Sequence, residues 1–194
     1  MPTEEGSPRD REAAQRWSNA LMLMAVFGLR PVECGLLKVR TDPSGEKYFW
    51  CTYRKRAGGG TTQPRRLHPL PLEDSDGSRV AWNLIERFEA GQLPLPEPRD
   101  GNWGEGARTY LQRRPAWTSL VATLKQGSGK RIVPYSLRHS YSLRGHVLGI
   151  DAGSMAEAMG HSLESHLRAY PWASAATTTA AFARVNNQPA RLSA

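Results

Sequence analysis

Cysteine is almost missing from this chain: Cys34 and Cys51 are the only two in 194 residues. Two thiols make no disulfide framework and fit a reducing compartment. No long apolar run and no signal peptide is present, so neither membrane insertion nor secretion is expected. Internal repeats are absent, and no low-complexity run precedes the C-terminal tail. Nor is there an acidic metal cage. His139, His146, His161 and His166 form the one gathering of ligand-type residues, with no cysteine or carboxylate at ligand spacing, so neither a metal nor a cofactor is expected. Acidic residues are in deficit, 18 against 26 Lys and Arg, for a net charge of +8. That balance points to a polyanionic partner, nucleic acid first. Hydrophobic residues still make up 39% of the chain, with six tryptophans, so it folds around a real core.

The segments read in order as an α+β fold, mostly helical, with a small antiparallel β-sheet near the N-terminal third. Residues 1–9 are polar and read as a flexible segment. From Asp10 the pattern is helical, with Trp17, Leu21, Met24 and Phe27 at core spacing and Gly28 as the stop. Pro31 opens a short helix carrying Glu33. Residues 39–71 read as the sheet, with a turn at Asp42–Gly45, an aromatic strand at Lys47–Tyr53 and a return strand at Arg65–Leu70. Between these strands lies a basic, glycine-rich connection, RKRAGGG. A helix capped by Asp74 or Asp76 is expected to reach Glu89. A proline- and glycine-rich loop covers 91–104, and Ala107–Leu111 is helical. Trp117, Leu120, Val121 and Leu124 form an apolar face, followed by a flexible Gln126–Gly129 connection. Asp151 and Ser162 are expected to cap two last helices, the second ending at Tyr170. The 91–104 loop is too short to separate two cores, so one domain is expected over 10–172, followed by a tail at 173–194.

The chemistry concentrates in Tyr135–Tyr170. An arginine on a helix (Arg138), a histidine after a glycine (His161) and a tyrosine nine residues later (Tyr170) suit phosphoryl transfer without metal. Arginine forks match phosphate oxygens, histidine can donate to phosphate or move a proton, and a tyrosine hydroxyl can attack phosphorus and hold it covalently.

The run LRHSY, then MGHSLESHLRAY, preceded far upstream by GLRPVE at 28–33, resembles the signature of the tyrosine recombinase (phage integrase) family. The separated motifs occur in the right order and end on the right interval, which makes the resemblance specific. It implies a catalytic domain over about 10–172 that cuts and rejoins double-stranded DNA through a 3′-phosphotyrosine, with no cofactor. Arg30 and Arg138 would clamp the phosphate, His161 would bond it, Tyr170 would attack, and Lys55 at the hairpin would protonate the leaving 5′ oxygen. Tyr135 stands where the family usually has the histidine of H-x-x-R; a phenol is a poor proton shuttle near neutral pH. Glu33 and His139 are expected to be structural. Arg54, Arg56, Arg65, Arg66, Lys130 and Arg131 are expected to contact DNA. A homotetramer on DNA, with a monomer as the alternative in its absence, and a cytoplasmic, nucleoid-associated location are implied. The tail, through Phe182 and Val185, is a candidate for docking on a neighbouring protomer. Two other readings stay open: a type IB topoisomerase, and a non-catalytic DNA-binding regulator of the same fold.

Overall fold

A computed structural model describes residues 7–57, 60–171, 182–183 and 186–187. Helix α1 (Pro8–Phe27) begins at Ser7, whose hydroxyl accepts from Asp10 N, and ends at Gly28 in the left-handed conformation. Its buried stripe is Ala20, Leu23, Met24 and Phe27, with Trp17 and Leu21 half-buried beside it. The core face is therefore shifted by a fraction of a turn from the stripe read in sequence. A 3-10 helix, Pro31–Leu36, follows directly.

Strands β1 (Leu37–Thr41), β2 (Lys47–Cys51) and β5 (Arg65–Arg66) form one antiparallel sheet with β2 in the middle. Strand β2 alternates as strands must. Phe49 and Cys51 point into the core against Phe27 and Phe88, while Tyr48 and Trp50 lie under Arg66 and Arg40 on the outer face. The turn between β1 and β2 is built on Asp42, which accepts from Ser44 N and Glu46 N. Strands β3 (Lys55–Ala57) and β4 (Gly60–Thr62) make a separate hairpin, pairing Lys55 with Thr62. The side chains of Lys55 and Arg56 lie outside the described residues.

Two expected helices differ. Asp74 and Asp76 do not cap a helix; they fold a tight turn closed by the Asp74 N to Ser78 O bond, with Gly77 at φ +82°. Ser78 N is taken by the Asp76 carboxylate, and α2 (Leu84–Glu89) starts only at Asn83. Farther on, α3 (Trp103–Gln112) and α4 (Pro115–Ser128) are split by Pro115, which opens α4 at its first position. Helix α4 runs through Gly127 instead of ending in a flexible connection, and none of its residues is buried.

The C-terminal half is α5 (Ser136–Val147), α6 (Ala152–Met159) and α7 (Leu163–Ala169). Asp151 caps α6 by accepting from Ser154 N, and Ser162 caps α7 by accepting from Ser165 N. Helix α5 packs on α1, and α6 packs on both α5 and α7. A second, smaller core of Leu70, Tyr141, Met155, Met159 and Tyr170 forms where they meet. Among the described residues no helix is long and apolar enough to cross a membrane. Of the tail, Phe182 is exposed, and Val185 falls outside the described residues.

Candidate active site

The site begins at a backbone requirement. Gly28 has φ +63°, and a Cβ there would lie 2.4 Å from the Tyr141 ring. Glycine satisfies both the left-handed turn and the close approach of α5. The turn delivers Leu29 into the core and leaves Arg30 as the residue that opens the 3-10 helix.

Glu33, fully buried, organises what surrounds it. Its carboxylate accepts from Arg30 N (2.8 Å), Arg30 Nη1 (2.7 Å) and the Arg65 fork (3.1 Å to each oxygen). Arg138 Nη1 lies 3.7 Å from the same carboxylate. Burial alone pushes the Glu33 carboxyl up, but Arg65, then Arg138 and Arg30, outweigh it and hold it below its usual value. Three guanidiniums thus face one carboxylate, leaving a surplus of two positive charges. Arg30 and Arg138, more than a hundred residues apart in sequence, are brought to the same point.

Arg138 is fully buried. It donates to Gly28 O (2.5 Å), to Met159 O and to His161 Nε2 (2.7 Å). A guanidinium has no lone pair to offer, so His161 Nε2 accepts and its proton sits on Nδ1. That Nδ1 is buried and has no hydrogen-bond partner among the described residues. Burial, then the charges of Arg138 and Arg30, push the His161 pKa down to about 3, so the ring is neutral at pH 7. Burial, then Arg30, lowers Arg138 to about 10, still cationic at pH 7.

Tyr170 follows the last turn of α7 and is buried, 2% exposed. Its ring lies between His166 (centroids 4.7 Å apart) and His139 (5.5 Å), and Tyr135 touches the far side of His139 at 5.2 Å. Burial raises the Tyr170 hydroxyl above its usual pKa, and Arg138 opposes that shift. Tyr135 is a surface residue at the start of α5. Behind Tyr170, His166 Nε2 and His146 Nε2 are 3.0 Å apart, and His146 Nδ1 lies 3.1 Å from Ile150 O. His146 and His161 each pack against His166, whereas His139 packs against Tyr135 and Tyr170. Among the described residues no group of three or more possible ligands could hold a metal ion.

The expected DNA-contacting residues separate. Arg54 is exposed just ahead of β3, and Lys130 and Arg131 are exposed on the connection into Tyr135. Arg66 is on the outer sheet face, stacked on Tyr48 and paired with Asp42 and Glu46. Arg65 faces the other way. It is buried against Glu33, and its Nε donates to Ala158 O (2.8 Å), so it joins the site from inside the protein and not from its surface. The signal in the sequence was the alternation of a strand: Arg65 shares the inward face with Leu67. A wide groove of about 920 Å³ between α1 and α3, walled by Trp17, Tyr110 and Arg114, shares no residue with this cluster.

The chain is similar to Excisase A of Nostoc sp. (strain PCC 7120), with 43% identity over 162 residues, covering 82% of this chain and 32% of that protein. It spans about a third of that protein's length. No protein-family profile matches the chain, and no solved structure does.

Proposed function

We propose that this chain is the strand-cutting and rejoining domain of a site-specific DNA recombinase of the tyrosine type, working in excision. The observation that carries this reading is the convergence of Arg30 and Arg138 on Glu33, with His161 bonded to Arg138 and Tyr170 one short helix beyond His161. The surplus of positive charge suits a phosphodiester, whose pentacoordinate transition state gains charge. The similarity to a protein named Excisase A supports the excision setting.

In this mechanism the arginines bind the nonbridging oxygens of the scissile phosphate. Neutral His161 donates from Nδ1–H and moves no proton of its own, because Arg138 holds its other nitrogen. Tyr170 Oη gives up its proton to solvent and forms a bond to phosphorus while the bond to the 5′ oxygen breaks, and Lys55 supplies that oxygen's proton. The reverse step with another 5′ hydroxyl reseals the strand, so no nucleotide is consumed. Exchange between two duplexes requires several copies, a homotetramer on double-stranded DNA. Tyr170 must first leave its pocket between His139 and His166, and DNA binding is the event that releases it.

The burial of Tyr170 and the phenol at position 135 favour a second reading, a DNA-binding accessory factor that does not cut. A nicked suicide duplex separates the two. The wild-type protein should form a denaturant-resistant protein–DNA adduct, and Tyr170→Phe should form none while binding the duplex within about threefold. Adduct formation by Tyr170→Phe would place the nucleophile elsewhere, and no adduct from the wild type would favour the accessory factor.

A further inference from the structure

We infer that Arg65 is a positioning residue that locks the two halves of the site to each other, resting on the reading just proposed. All three of its guanidinium nitrogens are committed inside the protein. Nη1 and Nη2 form a parallel fork on the Glu33 carboxylate at 3.1 Å each, and Nε donates 2.8 Å to Ala158 O. Glu33 in turn fixes Arg30 through both its backbone N–H and its Nη1. Ala158 lies in the last turn of α6, whose end supplies both Met159 O, a partner of Arg138, and the Gly160–His161 turn. One planar side chain therefore ties the Arg30 turn to the His161 turn.

The same contact explains Gly160. A Cβ there would lie 2.9 Å from Arg65 Nη1 and 2.9 Å from Thr62 Cγ2, so the turn at φ +63° is pressed against Arg65 and the end of β4. Thr62 Oγ1 also donates to Gly160 O at 3.3 Å. The hairpin that carries Lys55 thus leads through β4 and β5 directly to the residue before His161. A lysine ammonium cannot reproduce this arrangement, because a point charge cannot span two carboxylate oxygens and a carbonyl in one plane.

The test compares Arg65→Met, which keeps the bulk, with Arg65→Lys, which keeps the charge. Single-turnover adduct formation on the nicked duplex and the Kd for that duplex are measured separately. Misplacing reacting groups by about 1 Å costs on the order of 10²-fold. We expect Arg65→Met to lose on the order of 10²-fold in rate, with Arg65→Lys recovering part of it and both Kd values near wild type. Weakened binding at an unchanged rate would make Arg65 a DNA contact and overturn the inference, as would a wild-type rate in Arg65→Lys. If Arg65→Met does not fold, Arg65→Lys decides alone. A second measurement does not require cutting: the rise in melting temperature with inorganic phosphate. The wild type should show it and Arg65→Lys should show clearly less. An equal rise in both, or none in the wild type, refutes the positioning role even if the protein never cleaves DNA.

Discussion

Acidification from pH 7.5 to pH 5 should loosen the packing of α7 on α5, and His166 is the residue to perturb. Its ring is fully buried between His146, which shares its Nε2 hydrogen bond, and Tyr170, with His161 beside it and Arg138 acting from α5. Burial, then His146 and Arg138, lowers its pKa from 6.5 to about 4. The unfolded chain therefore binds a proton below pH 6.5 that the folded chain refuses until about pH 4. Stability is complete above pH 6.5, falls as the pH drops through that value, and stops falling below the folded pKa. At pH 5 this one residue removes about 2 kcal/mol, approaching about 3 kcal/mol at lower pH. His68, His139, His146 and His161 are lowered too and act in the same direction. Glu33, Asp42 and Asp151 are held below their usual carboxyl values, so their stabilisation is lost only at lower pH, outside this window. Urea titrations followed by tryptophan fluorescence at both pH values measure the difference. His166→Gln should be less stable than wild type at pH 7.5 yet lose about 2 kcal/mol less on going to pH 5. A wild type with equal stability at both pH values, or a His166→Gln variant with the full wild-type slope, refutes the argument.

Glu33→Gln leaves three guanidiniums in a buried cluster without their counter-charge. It should cost about 3–5 kcal/mol in a urea titration, more than a surface carboxylate such as Glu164 could. Lys55→Ala should slow cutting of an ordinary phosphodiester by roughly 10²- to 10⁴-fold, the usual worth of general acid catalysis. The same variant should cut a substrate with sulfur at the bridging 5′ position at nearly the wild-type rate, since that leaving group needs no proton. Equal slowing on both substrates would leave Lys55 a backbone contact only.

What was legible in the sequence is what local stereochemistry dictates. Gly28 had to end α1, Pro31 had to open a new turn, and Asp151, Gly160 and Ser162 had to bracket the last two helices; each is where its backbone demand placed it. Glu33 is the buried centre of the arginine cluster. The misses share a different cause, that a neighbour in space decides the outcome. Arg65 and Arg66 look alike in sequence, yet strand alternation sends one to Glu33 and the other to Asp42 and Glu46. The apolar face of α4 is only partly covered: α3 packs beside it and Trp117, Val121 and Leu124 are half-buried, while Leu120 is exposed. Asp74 and Asp76 read as helix caps, but Gly77 let the chain close a turn first.

On the proposed reading, the site divides its preparation unequally. The cationic half is preassembled in the protein alone, with Arg138 held by Gly28, Met159 and His161 and Arg30 fixed at two points by Glu33, but Arg138 and His161 Nδ1 are buried and must be uncovered before a phosphate reaches them. Holding cations together in a buried place is costly, and one carboxylate offsets only part of that repulsion. A phosphate arriving there relieves the remainder, so binding a backbone phosphate strengthens the structure around it. The nucleophile is treated in the opposite way. Tyr170 is packed between two histidine rings, its hydroxyl pKa raised by burial. Exposing it costs that packing, and the two charges unbalanced at Glu33 make a DNA phosphate the ligand best placed to offset the cost. On this reading the arginine cluster and the buried tyrosine act as one device, in which affinity for phosphate is what licenses attack on it.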